Sequence, residues 1–151
     1  MIAKACHRNA ALIIVESMRR ITLLVGVVLE LIPARMVVRA FAGLTRPYYG
    51  ASVIALVVFY GCMLAGVAYQ RKHGRLGGYF AFWGAMQPVI IAGVIGFFGP
   101  FAYAAVTHTT PGNLAPIWGV LIMIVGSIAA VGIGLIAYGA QPTRTRASGP
   151  P

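Results

Sequence analysis

The sequence predicts an all-α integral membrane protein, with four transmembrane helices in a small up-down bundle and both termini on the same, inner side. Of its 151 residues, 60% are hydrophobic and only 9% are charged, whereas a water-soluble domain carries about 25% charged residues. Three uncharged stretches are also long enough to cross a bilayer, which takes about 20 helical residues. The outer surface of this chain is therefore expected to meet lipid.

The three uncharged spans cover residues 48–69, 78–106 and 114–139. A further span over residues 21–38 is short and contains Glu30, so the distribution of basic residues has to decide whether it crosses. In a three-span model, residues 1–47 lie on one face, and the 12 basic residues divide seven to five between the two sides of the membrane. In a four-span model, residues 21–38 cross, and nine basic residues lie on the inner side and three on the outer. Because basic residues concentrate on the inner side, four spans are favoured.

Two polar segments flank this membrane domain of residues 21–139. Residues 1–20 are basic, and Glu16 precedes Arg19 and Arg20 by about one helical turn. The segment is predicted to be an interfacial salt-bridged helix, with a targeting segment or an extension upstream of a start at Met18 as the alternatives. Residues 140–151 form a basic tail with the Pro, Gly and Ser content of a disordered or partner-bound end.

The net charge of +10 would suggest a nucleic-acid partner in a soluble protein. Here the bases lie between apolar spans, where the positive-inside bias and anionic lipid headgroups account for them. We therefore expect no nucleic-acid binding. The predicted partners are the lipid bilayer and other membrane-protein subunits.

No set of residues predicts a catalytic or metal site. His7 lies in the N-terminal segment, and His73 and His108 lie in loops on opposite sides of the bilayer in the four-span arrangement. The hydroxyl and thiol groups within the spans have no histidine or second carboxylate nearby to activate them. No cofactor is predicted, although apolar helix faces could hold lipid, quinone or pigment without a diagnostic motif.

One polar side chain in each predicted span lies at a similar depth, and together they form a predicted intramembrane cluster: Glu30, Tyr60, Gln87 and Ser127. Counted at about 1.5 Å per helical residue, each lies about 10–15 Å from the inner boundary of the hydrocarbon core. Pro33 and Pro88 each free a helix carbonyl nearby, and such a group needs a partner in lipid.

Three interpretations of Glu30 follow from this position. A neutral carboxyl could share hydrogen bonds with Gln87 or Tyr60 in a structural network. It could instead be a proton or cation site, a common role of intramembrane carboxylates. A third alternative is an ion pair with Arg35 or Arg39 after a kink at the intervening proline.

Small residues recur every four positions in two of the spans. Gly61 and Ala65 form one such ridge, and Gly126, Ala130 and Gly134 form the other. Small-residue ridges let helix backbones approach closely in lipid. They predict either packing within the bundle or docking onto a larger assembly.

These features predict a small non-catalytic accessory subunit of a larger membrane complex, such as a respiratory or photosynthetic one. The alternative is a small homo-oligomeric transporter or channel, proton-coupled through Glu30. A membrane enzyme acting on lipid or quinone is a third reading, weakened by the absence of an acid–base pair. The predicted location is a bacterial plasma membrane or an organellar inner membrane.

Overall fold

A computed structural model describes residues 2–44, 49–108 and 115–141, with side chains described over 13–42, 50–108 and 117–141. All regular secondary structure in these ranges is helical: α1 Ile2–Leu44, α2 Tyr49–Lys72, α3 Gly78–Thr107 and α4 Ala115–Gly139. Each helix is long and apolar enough to cross a membrane. The prediction of an all-helical fold with four helices long and apolar enough to cross a membrane is thereby confirmed.

The ends of the helices follow the turn-forming residues of the sequence. After α2, Gly74 adopts a positive φ of 73°, a conformation that glycine accepts without strain and that commonly ends a helix. The chain then turns back through Gly77, and α3 begins at the next residue. At its far end α3 stops at His108, which is in the left-handed conformation and donates its backbone N–H to the carbonyl of Ala104.

Helix α1 is longer than the predicted span because it is continuous across residues 20 and 21. The apolar part that can cross a membrane covers Ile13–Ala42. No glycine or proline occurs between Met1 and Val25 to interrupt the helix. The predicted role of residues 1–20 as an interfacial or targeting segment stays a prediction, and the tail beyond Gln141 lies outside the described residues.

The four helices form a ring in which α1 and α3 each contact both α2 and α4. Helices α1 and α4 run antiparallel, because later positions on α4 contact earlier positions on α1. Gly139 lies against Arg19 and Leu23, and Gly132 lies against Gly26. The part of α1 before Arg19 therefore extends about 25 Å beyond the end of α4. The end of the bundle near Gly139 is called the basic end below, because Arg19, Arg20, Arg71, Lys72 and Arg75 lie there.

Small side chains form the centre of the bundle. The buried cluster joins α2, α3 and α4 and consists of Met63, Val67, Ala81, Ala85, Val89, Ala129 and Ala130. Many large apolar side chains, including Ile54, Val57 and Ile95, point outward instead. This arrangement suits lipid, because lipid tails solvate large apolar side chains while close helix contact requires small ones.

The two predicted ridges face different ways. On α4, Gly126 lies against Val89 of α3, and Gly134 lies against Gly78 and Phe82 of the same helix. Ala130, between them, is fully buried. The α4 ridge is therefore an intramolecular contact.

On α2, by contrast, Gly61 and Ala65 are both exposed, and a Cβ atom added at Gly61 would meet nothing within 4 Å. The glycine of α2 that packs within the bundle is Gly66, one position beyond the predicted ridge. A Cβ atom there would collide with the carbonyl of Gly84 in α3. The α2 ridge thus has no partner among the described residues.

Candidate functional site

The most distinctive polar site lies where α1, α2 and α4 meet. The half-buried side chain of Glu30 points from α1 into this junction. Its Oε2 atom is 2.7 Å from the hydroxyl oxygen of Tyr60 on α2, and the same hydroxyl is 3.1 Å from the backbone carbonyl oxygen of Glu30. Its Oε1 atom lies against Gly132 of α4. One carboxyl group therefore links three helices.

Helical spacing explains how Glu30 reaches the junction. Leu23, Gly26, Glu30 and Pro33 recur every three or four residues and so share one face of α1. Gly26 and Pro33 are buried on that face. On α4, the carboxyl group fits because Gly132 has no side chain: a Cβ atom there would occupy the position of Oε1.

The hydrogen-bond geometry is compatible with a neutral carboxyl group. Tyrosine has one hydroxyl proton, so it cannot form full hydrogen bonds to both Oε2 and the carbonyl oxygen of Glu30. Both contacts can be full hydrogen bonds when Oε2 carries a proton. The protonated Oε2 then donates to Tyr60 Oη, and the Tyr60 hydroxyl donates to the backbone carbonyl oxygen of Glu30. In lipid this arrangement also avoids an isolated charge.

The ion pair considered from the sequence does not form. Arg35 and Arg39 are exposed on α1. Within the described ranges, the salt bridge that is present joins Arg20 to Glu16 at 3.5 Å, and no basic side chain lies within ion-pair distance of Glu30. Of the three interpretations of Glu30, the structure is compatible with the hydrogen-bonded network and the proton site.

The second carboxyl oxygen has unused hydrogen-bonding capacity. Glu30 Oε1 is buried near the backbone N–H of Ile133, but without the geometry of a hydrogen bond, and it has no other partner among the described residues. Leaving a buried acceptor unsatisfied costs about 1–3 kcal/mol. Oε1 is therefore a buried acceptor whose hydrogen-bonding capacity is not fully used by the described residues.

The predicted four-residue cluster is reduced to the Glu30–Tyr60 pair. Ser127 donates to the carbonyl of Met123 in its own helix at 2.6 Å and lies 3.8 Å from Met86 Sδ. Gln87 is exposed on α3, between the buried Ala85 and Val89. Inclusion of Gln87 and Ser127 in one cluster was wrong, because depth along a helix axis does not determine which face a side chain occupies.

Two buried polar residues of α2 were missed by the sequence analysis. Ser52 is 1% exposed and its hydroxyl has no hydrogen-bond partner among the described residues, and Gln70 is 4% exposed. Gln70 Oε1 lies 3.4 Å from a guanidinium nitrogen of Arg75. The sequence does contain a signal for this contact. Gln70 is followed five residues later by Arg75, with the turn at Gly74 between them.

An apolar groove opens on the half of the bundle opposite the basic end. Its volume is about 730 Å³ and its lining residues include Met36, Ile54, Phe59, Cys62, Trp118 and Leu121. No group of three His, Cys, Asp or Glu residues that could hold a metal ion occurs in the part of the chain the structure describes. The shape and lining of the groove suit an apolar chain or ring.

Comparison with known proteins gives no relative for this arrangement. No protein-family model matches the chain, and no curated protein or solved structure is significantly similar to it. The functional conclusion therefore depends on the geometry of the chain itself.

Substitution of Tyr60 by phenylalanine tests the carboxyl–phenol pair. Tyr60→Phe removes the hydroxyl that contacts Glu30 and leaves a buried carboxyl oxygen without a partner. We expect the free energy of unfolding to fall by about 1–3 kcal/mol, measured by denaturant titration in detergent micelles. Tyr69→Phe, at an exposed position of the same helix, should change it by less than about 0.5 kcal/mol. Equal stability of both variants would contradict the pairing.

Proposed function

We propose that the protein is a non-catalytic accessory subunit of a larger integral membrane complex and that it contacts a partner helix through the outward face of α2. The observation that carries this proposal is the exposed position of Gly61 and Ala65, which together with Ala68 are called the α2 stripe. Within the bundle, the comparable ridge on α4 is covered by α3.

The α2 stripe has the shape of a site for another transmembrane helix. Its residues recur at intervals of four and three, so they follow one face of α2. Exposed Leu64 and Tyr69 lie on either side of it, and exposed Val57 lies at its end, one turn before Gly61. A partner helix could place its backbone in the resulting shallow channel, and close backbone approach is the main source of helix association in lipid.

A second surface supports assembly with other subunits. The described part of α1 that extends beyond α4 exposes the apolar side chains of Ile13, Ile14, Val15 and Met18. The same segment carries Glu16 and Arg20 in a salt bridge. A mixed apolar and charged surface at the membrane boundary suits contact with a partner subunit as well as with lipid headgroups.

The proposed orientation places the basic end on the inner side, with both termini there. Five described basic residues lie at that end, whereas two, Arg35 and Arg39, lie toward the opposite end. The positive-inside bias supports this orientation. A bacterial plasma membrane or an organellar inner membrane is the proposed location.

A glycine-to-leucine substitution tests docking through the α2 stripe. Gly61→Leu would fill the channel without touching the bundle, because its Cβ atom meets nothing within 4 Å. We expect the variant to fold normally but to lose most of the partner protein recovered when native membranes are solubilised in mild detergent. Gly99→Leu is the matched control, since a Cβ atom there meets only Ile95 of its own helix, at 3.9 Å. If the wild-type chain purifies alone, or if Gly61→Leu retains its partner, the proposal fails.

The unused acceptor of Glu30 favours a second candidate, a small homo-oligomeric transporter or channel that is proton-coupled through this residue. Intramembrane carboxyl groups commonly take up and release protons, and the second oxygen of Glu30 is not committed to a hydrogen bond among the described residues. Tyr60 would then orient the group, and the close fit against Gly132 would make its environment sensitive to the spacing of α1 and α4.

Glu30→Gln separates the two candidates. Glutamine keeps the size and one acceptor of the side chain but cannot carry the proton. A transporter is expected to lose proton flux into liposomes containing a pH-sensitive dye, whereas an accessory subunit keeps its partner and shows no flux in either form. Glu16→Gln, which removes the other carboxylate at an exposed site, should leave any flux unchanged; equal loss in both variants would contradict a role for Glu30.

A further inference from the structure

A second cavity lies at the basic end, where α2, α3 and α4 meet. Its volume is about 630 Å³, and its walls combine two arginines, Arg71 and Arg75, with apolar residues that include Val67 and Ala81. Gly77 and Gln141 complete the polar side. This cavity is separate from the Glu30–Tyr60 pair and plays no part in the proposed docking through α2.

The two arginines have no acidic partner in the part of the chain that the structure describes. Both side chains are exposed, and no carboxylate among the described residues lies within ion-pair distance of either. The buried side chain of Gln70 helps to position Arg75. The guanidinium group of Arg75 donates to Gln70 Oε1 at 3.4 Å. The cavity wall therefore presents two guanidinium groups whose charge is not neutralised by any described residue.

The start of α3 lies on the same side of the cavity. Gly77 lines the cavity, and no side chain caps the helix that begins after it. The N–H groups of a first helical turn lack intrahelical acceptors and lie at the positive end of the helix dipole, which favours a bound anion. The amide nitrogen of Gln141 faces this position, 3.5 Å from where a Cβ atom of Gly77 would lie.

The remaining walls of the cavity are apolar. Val67 and Ala81 belong to the buried cluster, and Ala137 of α4 packs against it. The cavity thus has cationic and N–H groups at the end of the helices and apolar side chains toward their middle. In a membrane this is the boundary where headgroups meet hydrocarbon.

We infer that this cavity binds an anionic membrane phospholipid, with its phosphate group between Arg71, Arg75 and the start of α3, and an acyl chain along Val67 and Ala81. Arginine binds phosphate oxygens through two parallel hydrogen bonds, which a lysine cannot reproduce. Inorganic phosphate shares this polar chemistry but has nothing to place against the apolar wall.

Native mass spectrometry of the full-length protein tests the assignment. After delipidation in detergent, the protein is titrated separately with phosphatidylglycerol, phosphatidylcholine and inorganic phosphate. We expect phosphatidylglycerol to be retained preferentially. Arg71→Gln and Arg75→Gln should each weaken its retention by about tenfold or more, the loss expected for one charge-assisted hydrogen bond.

Lys72→Gln is the matched control, because it removes the same charge from a residue that does not line the cavity. It should retain phosphatidylglycerol within about twofold of wild type, since exposed charges outside a site contribute little. Arg75→Lys keeps the charge but should bind more weakly than wild type, which separates bidentate recognition from simple attraction.

Three results would overturn the inference. Equal retention of phosphatidylglycerol and phosphatidylcholine would exclude recognition of the anionic headgroup. Equal losses in Lys72→Gln and Arg75→Gln would show that net charge alone is responsible. Binding of inorganic phosphate without binding of phosphatidylglycerol would assign the site to a free anion instead of a lipid.

Discussion

Close approach of α4 to two neighbouring helices at glycine residues is the constraint on which the rest of the bundle depends. Its face toward α3 carries Gly126 and Gly134, and its face toward α1 carries Gly132 and Gly139. Lipid tails are as apolar as the helix surfaces, so burial of large apolar side chains gives little net driving force. Association then depends on close backbone packing, which the missing side chains allow, together with interhelical hydrogen bonds such as that between Glu30 and Tyr60.

The polar interior follows from this packing. Because α4 presents only a glycine at position 132, the carboxyl group of Glu30 fits between α1 and α4 and meets Tyr60 of α2. A bulkier residue on α4 would force the carboxyl group into lipid. The same packing leaves Gly61 on the outside, so the proposed docking surface consists of small residues that the bundle leaves exposed.

The sequence predicted the parts of the fold that depend on composition along the chain. Helices α2, α3 and α4 end within three residues of the predicted spans, since glycine turns and loss of hydropathy mark their limits. The pairing of Glu30 with Tyr60 agrees with one of the contacts considered from their depth. Gln87 was misplaced because only tertiary packing fixes the rotation of α3. The cavity at the basic end was missed because its walls come from three helices.

The most direct test of this account is a double-mutant cycle between Gly132 and Glu30. Gly132→Ala places a methyl group that collides with Oε1, so it should lower the free energy of unfolding in detergent by about 1–3 kcal/mol. In a Glu30→Ala background that loss should shrink to about half or less, because the colliding carboxyl group is gone and only the contact with Gly26 remains. The same loss in both backgrounds would contradict the placement of the carboxyl group against α4.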